Sequence, residues 1–319
     1  MSDHIPMRVA VVGATGFQGG ATARLLAERG HRVRTLSRKP EEDRPKLPGV
    51  SVASGDLGRQ EDVRQLFQGA THAVVTMPLV YEAEKVMRYA QHIARGARDS
   101  KVHRIVYNAN TRVPQRTTNI AAFETRRLVE TVLRESLAES GVELVVVRPP
   151  VYLDNLFSPW NGPALVNEGV LAYPLPAGVR TAWISHGDLA QAVYGALTAE
   201  GAAGRAFDIG GERTLTGPEL AEAFARGLGR PVRYTALDPH VFEQGLAQIL
   251  GHRAAAGVAG IYHFMASGAE PGLMAGDDGA AARELSFTAA PVDEWVTRQP
   301  WQMWSGRTAE SQSESAETA

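Results

Sequence analysis

Residues 13–20, GATGFQGG, hold four glycines in eight positions and follow directly on the apolar run Val9–Val12. A short apolar strand that runs into a glycine-rich turn constrains the fold more than any other stretch of this chain. Such a turn lets backbone approach a neighbour too closely for side chains. Gly13, Gly16 and Gly19 are spaced G-x-x-G-x-x-G. The first suits a tight turn, the second lets backbone N–H groups reach an anion, and the third lets a following helix pack on the strand. The absence of a Lys-Ser/Thr step after the glycines removes the phosphate-loop NTPase reading.

The surrounding pattern places this turn. Strand-like runs at 8–12, 32–36, 50–55, 72–77, 104–109 and 144–149 alternate with helical patterns over 18–29, 61–67, 82–98 and 121–139. Alternation of this kind predicts an α/β fold: a doubly wound parallel sheet of Rossmann type with right-handed crossovers. Beyond residue 150 the rhythm changes. Two short strands are expected at 182–185 and 206–210, then a helix capped by Thr216 and closed by Gly229, then a strand through Arg233 and Tyr234, and an apolar, mostly helical region over 238–304. The expected division is a nucleotide-binding domain from 1–151 and 181–210, a smaller substrate-covering domain from 152–180 and 211–304, and a disordered tail at 305–319.

Composition bounds the function. Of 319 residues, 44% are hydrophobic and 21% charged, with a formal net charge of −2, so nothing in the charge balance suggests a nucleic-acid partner. The chain has no cysteine, which excludes disulfides and thiolate chemistry. No apolar run has the length of a membrane span and no secretory leader precedes the first strand, so a cytoplasmic protein is expected. A homo-oligomer is compatible with the sequence, and no His/Asp/Glu spacing suggests a metal site.

In an open parallel sheet the first strand-to-helix turn holds a dinucleotide's pyrophosphate, with the helix start supplying N–H donors. Thr15, Phe17 and Gln18 join the glycines as candidate contacts. The end of the second strand selects the cofactor. An NAD ribose calls for a carboxylate there, whereas this chain has Ser37, Arg38 and Lys39, which suit the 2′-phosphate of NADP(H). A solvated basic strand end is the plainer alternative.

The chain resembles the NmrA-like group of atypical short-chain dehydrogenases, from residue 7 to about 304. The resemblance rests on GATGFQGG, SRKP at 37–40, GDL at 55–57, VTMP at 75–78, FETRRLVE at 123–130, RPPVYLDNL at 148–156 and GRPVRY at 229–234. It implies that Asp56 and Leu57 lie near the adenine, that Thr76, Met77 and Pro78 lie near the riboses, and that the Tyr152–Asn155 segment lies beside the nicotinamide. Asp56 also reads as a helix cap and Asn155 as a turn former. The family's usual lysine in the fifth helix falls on Arg126 here, which puts base chemistry at that position in doubt and leaves anchoring of a ribose or polarising of a substrate oxygen.

Other acid–base candidates are weaker. Tyr81 and Lys85 form the Tyr-x-x-x-Lys pair of typical short-chain dehydrogenases, but after the fourth strand and not the fifth. Tyr81 therefore reads better as a pocket-mouth or helix-start residue. His186, between a short strand and a helix, can protonate a reduced oxygen or simply sit in a loop, and Asp188 beside it reads as an N-cap. Phe157, Trp160, Phe242, Tyr262, Phe264 and Met265 are largely core, and any that line a cleft suit a small apolar, aromatic substrate; His263 reads as part of the same wall. The expected activity is an NADPH-dependent reductase of a quinone, enone or other planar carbonyl-type compound. A non-enzymatic NADP(H)-sensing regulator and a redox-neutral biosynthetic enzyme with bound NADP(H) are the alternatives.

Overall fold

The computed structural model describes residues 5–277 and 279–306. In chain order the elements are β1 (Arg8–Val12), α1 (Phe17–Glu28), β2 (Arg32–Ser37), β3 (Val50–Ser54), α2 (Gln60–Phe67), β4 (His72–Thr76), α3 (Ala83–Asp99), β5 (Arg104–Asn108), α4 (Ala121–Leu137) and β6 (Glu143–Arg148). There follow α5 (Gly162–Glu168), β7 (Val170–Tyr173), α6 (His186–Thr198), β8 (Ala206–Asp208), α7 (Gly217–Leu228) and β9 (Arg233–Ala236). The last are α8 (Pro239–Leu250), α9 (His252–Ala266), α10 (Ala280–Glu284) and α11 (Val292–Thr297). Two compact units result: one from residues up to Pro149 with His186–Ile209 and Ala280–Thr288, the other from Pro150–Ser185, Gly210–Gly279 and the residues from Ala289.

The first unit is a seven-stranded sheet in the order β3-β2-β1-β4-β5-β6-β8, parallel at every pairing. The order reverses direction between β1 and β4, and that is where the crevice of such a sheet opens. Residues alternate across the strands. Val12, Val75, Ile105, Tyr107 and Val146 pack with Leu66, Phe67, Ile93 and Leu133 of α2, α3 and α4. The opposite face is covered by α1 and α6, which pack on each other. Arg104, only 6% exposed, ties this second layer to the sheet. Its guanidinium meets Glu143 at 2.6 Å and donates to the carbonyls of Ala196, Leu197 and Ala199 at 3.2, 3.2 and 2.9 Å. A cation thus satisfies the orphan carbonyls at the end of α6.

The second unit holds the two-stranded parallel sheet β7–β9 with α5, α7, α8, α9 and α11. A capping box starts α7: the Thr216 side chain accepts from Glu219 N–H, and Glu219 accepts in return from Thr216 N–H at 2.7 Å. Gly229 closes the helix in the left-handed conformation, as expected. No helix among the described residues is long and apolar enough to cross a membrane.

Three expectations are corrected. Residues 182–185 form no strand: Ile184 makes one isolated bridge to Tyr152 and Thr181 another to Leu215, and Ala182 N–H bonds the Met274 carbonyl at 2.8 Å. Their backbone groups are satisfied by three separate loops, so no ladder is needed, and these residues pack with the second unit, not the first. Residues 280–288, expected in the smaller domain, belong to the first unit. There the Leu285 carbonyl presses so close to Gly195 of α6 that a Cβ would lie 1.9 Å from it. Asp188 is not an N-cap, because α6 already begins at His186 and Asp188 lies within its first turn. The expected tail lies, from residue 307 onward, outside the described residues.

One histidine makes the fold acid-sensitive. His72 opens β4 with its ring edge-on to His103, 5.6 Å between centroids. Burial first, then the positive fields of His103, Arg104 and His31, push it from 6.5 down to about 4, against an upward pull from Glu143. The unfolded chain therefore binds more protons between those values, and stability falls as pH drops from 6.5 through 4. The contribution is roughly 1–2 kcal/mol after discounting for the ring's partial exposure. His72→Gln is expected to shrink the stability difference between pH 7.5 and pH 4.5 by about that amount in urea unfolding; an unchanged difference would count against it.

Candidate functional site

The glycine turn is built by close backbone contact. Gly13 has φ +84°, and a Cβ placed on it would lie 2.5 Å from the Thr76 carbonyl at the end of β4. A Cβ on Gly19 would lie 2.4 Å from the Gly13 carbonyl. Gly16 N–H bonds the Gly13 carbonyl at 3.0 Å and closes the turn. Gly16 stands at the N-cap of α1, where no side chain caps the helix and the first turn carries no acid. This is the arrangement of a helix start that receives an anion. Thr15 is exposed, and Phe17 projects with 85% of its surface open. The ring of His186, the first residue of α6, stacks on Phe17 at 6.3 Å and 14°. His186 is therefore a neighbour of the glycine turn, which its sequence position did not reveal.

At the end of β2, the buried Ser37 Oγ accepts the Lys39 N–H at 3.1 Å and fixes a turn that leaves Arg38 and Lys39 exposed. Arg44, which sequence reasoning passed over, donates to the Lys39 carbonyl at 3.0 Å and to the Val52 carbonyl at 3.4 Å, and also bonds Ser54. It braces that turn against β3. After β3, Asp56 accepts the Gly58 N–H at 2.6 Å. It thereby makes a tight turn of its own and does not cap α2, whose N-cap position is Arg59. The Leu57 carbonyl lies 2.8 Å from His92 Nδ1, and its side chain packs on the core.

β4 ends at Thr76 and the chain runs on through Met77 and Pro78; Thr76 and Met77 are buried. Two asparagines hold this segment. Asn108 Nδ2 donates to Gln18 Oε1 at 2.9 Å and to Thr76 Oγ1 at 3.5 Å, linking α1, β4 and β5. Asn110, at φ +65°, donates to the Met77 carbonyl at 3.1 Å. Left-handed backbone is several-fold enriched in asparagine, and the NAN run at 108–110 was the available signal.

Arg126 of α4 is 2% exposed. Its Nη2 donates to the Pro78 carbonyl at 3.4 Å, its guanidinium stands 5.5 Å from the centre of the Tyr81 ring, and its Nη1 has no hydrogen-bond partner. Burial pushes the Tyr81 hydroxyl above its ordinary range, with Arg126 pulling the other way. Tyr81 is thus the ring that stacks on Arg126, and its hydroxyl is not tuned toward proton donation at neutral pH. The glycine cradle that a Cβ would fill, the uncapped helix start, the basic strand end and the unmet guanidinium nitrogen together fit a dinucleotide with a phosphorylated ribose.

The remaining candidates lie in the second unit. Tyr152 is buried and bridged to Ile184, and exposed Asn155 donates to the Tyr173 hydroxyl at 2.9 Å. Tyr173 and Tyr262 share a 2.5 Å hydrogen bond, and burial, then Tyr262, holds Tyr173 well above the ordinary tyrosine range. Trp183 and Phe242 close this cluster, with centroids 5.0 and 6.4 Å from that of Tyr173. Phe157 instead packs on Trp301 and Trp304, at 5.0 and 5.7 Å; Phe264 and Met265 are buried, while Trp160 is 42% exposed.

Gly13→Ala is expected to weaken dinucleotide binding at least tenfold, because it adds left-handed strain of about 1–2 kcal/mol to the clash with Thr76. Far-ultraviolet circular dichroism should keep its native shape. Unchanged binding in calorimetry would remove the turn from the site.

The model of the NmrA-like family matches residues 6–296. An NAD(P)H azoreductase of Xenophilus azovorans is 29% identical over 230 residues, 72% of this chain and 77% of the relative. The (4-alkanoyl-5-oxo-2,5-dihydrofuran-3-yl)methyl phosphate reductase of Streptomyces griseus is 30% identical over 231 residues, again 72% and 77%. Among solved structures, a triphenylmethane reductase of Citrobacter sp. complexed with NADP(H) superposes with TM-score 0.72 at 19% identity, covering 91% of this chain and 99% of that one. With a family model running over nearly its whole length, this chain belongs to the NmrA-like family.

Proposed function

We propose that the protein is an NADPH-dependent reductase that passes a hydride to a quinone, an enone or another planar apolar carbonyl-type acceptor. The observation that carries this reading is the buried guanidinium of Arg126 with its unmet Nη1. A buried cation short of acceptors is costly until a ligand supplies them. NADPH when bound supplies the hydride, with its two electrons, from C4 of the nicotinamide. The glycine turn and the start of α1 hold the pyrophosphate, and Arg38 and Lys39 meet the 2′-phosphate. Arg126 orients an oxygen of the cofactor or steadies an acceptor oxygen as it gains charge, and exchanges no proton. Quinone reduction suits such a site because water can protonate the oxyanion. The two relatives, one named an azoreductase and the other a (4-alkanoyl-5-oxo-2,5-dihydrofuran-3-yl)methyl phosphate reductase, support a reductase in general terms.

The cofactor assignment is tested by calorimetry. Wild type is expected to favour NADPH over NADH. Arg38→Ala should lose about 1.5–3 kcal/mol of NADPH binding, tenfold or more, and spare NADH. Equal wild-type affinity for the two cofactors would sink it.

The reaction is tested with C4-deuterated NADPH across a panel of quinones, enones and aromatic ketones. One stereospecific label transfer supports the reductase. Arg126→Ala is then expected to lower kcat/KM by about 100-fold or more, with Arg126→Lys intermediate. If no acceptor takes the label, while NADPH and NADP⁺ give distinct protease-protection patterns, the protein is a sensor of NADP(H) and not a reductase.

A further inference from the structure

We propose that His240, Glu243 and His263 form a binding site for one transition-metal ion, zinc foremost, on the helix pair α8–α9. One ligand atom from each residue lies within 4.8 Å of the others. His263 Nε2 is 3.0 Å from Glu243 Oε2. The rings of His240 and His263 have centroids 4.4 Å apart, tilted by 54°.

The local fold assembles the three. His240 and Glu243 are three residues apart on α8 and so share a face. The Asp238 side chain accepts the His240 N–H at 2.8 Å and Pro239 occupies the first turn, which together fix the start of the helix. A single residue, Gly251 at φ +75°, separates α8 from α9. That left-handed turn folds α9 back on α8 and delivers His263 beside Glu243. His263 lies 20 residues beyond Glu243 in sequence, which is why no spacing announced the set.

The donor set favours a metal over a simple ion pair. A partly buried His–Glu pair accounts for two of these groups but leaves the imidazole of His240 beside it without a role. Two imidazoles and one carboxylate are instead a recurrent zinc ligand set, with the fourth position open to water. Imidazole also selects zinc, nickel and copper over magnesium and calcium. A tetrahedral zinc with bonds of about 2.0 Å sets its ligand atoms about 3.3 Å apart. Glu243 and His263 already stand near that separation at 3.0 Å, and the remaining closure, at most about 1.5 Å, falls to the exposed side chain of His240.

The site has a structural consequence. Phe242 and Tyr262 each precede a ligand by one residue, and their ring centroids are 5.0 Å apart. A bound ion would pin α8 to α9 directly beside this aromatic pair and hold the Tyr262–Tyr173 hydrogen bond in register. The proposal does not depend on the reductase reading.

The experiment uses full-length, untagged protein freed of metal with a chelator. Titration with zinc alone is expected to show one tight equivalent and to raise the melting temperature. Cobalt alone should give the visible absorption of a low-coordinate nitrogen–oxygen site. His263→Ala, Glu243→Gln and His240→Ala should each weaken zinc binding at least tenfold and abolish the thermal shift. His252→Ala, at the start of α9 outside the cluster, should change neither, and NADPH affinity should be the same in all four. Absence of a stoichiometric site in the wild type, or zinc binding that survives His263→Ala, overturns the proposal.

Discussion

Everything at the cofactor end depends on the contact between Gly13 and the carbonyl of Thr76. The turn after β1 lies so near the end of β4 that a Cβ on Gly13 would be 2.5 Å from that oxygen. Gly19 then lies just as near to Gly13, so α1 starts directly above the turn. A side chain at either position would force α1 away from the turn and from the end of β4. The side chain of Asn108 then ties α1 and β4 to β5 through Gln18 and Thr76. Backbone proximity sets the cradle, and polar side chains hold it.

Much of this was legible in the chain. β1, β4, β5 and β6 are short apolar runs buried along most of their length, as strands covered on both faces are, whereas β2 and β3 show only a period-two alternation. The glycines announced the turn because only glycine tolerates both its φ and its crowding. Thr216 and Gly229 announced the ends of α7 because their chemistry is local.

What was not legible depends on partners distant in sequence. β9 was expected through Arg233 and Tyr234, but its partner β7 was missed: it has only four residues and lies about 60 residues earlier, so nothing near it marks the pairing. Residues 182–185 look like a strand because they are apolar and buried, yet three loops satisfy their backbone. Residues 280–288 carry no mark of their place, because the close contact that fixes them is made by Gly195 of another helix. In the site, Arg38, Lys39 and the glycines could be named from local pattern alone. Arg44, Asn108 and Asn110 act through backbone carbonyls and neighbouring side chains, and no motif encodes such contacts. The stacking of His186 on Phe17 belongs to the same class.

Arginine in place of the family's lysine bears on how this site can work. A lysine can be desolvated, lose its proton and return it, so it serves acid–base steps. A guanidinium keeps its charge, and burial raises the cost of leaving it short of acceptors. The Pro78 carbonyl and the Tyr81 ring are the neighbours of the Arg126 guanidinium. Such a group accelerates a reaction only where negative charge is greater in the transition state than in the ground state. Hydride transfer to a conjugated carbonyl meets that condition, because charge develops on an oxygen while the donor carbon becomes part of a cationic ring. A step that required proton removal would gain little from a fixed cation. On the proposed reductase reading, the substitution narrows the chemistry toward acceptors whose reduced oxygen is protonated by water.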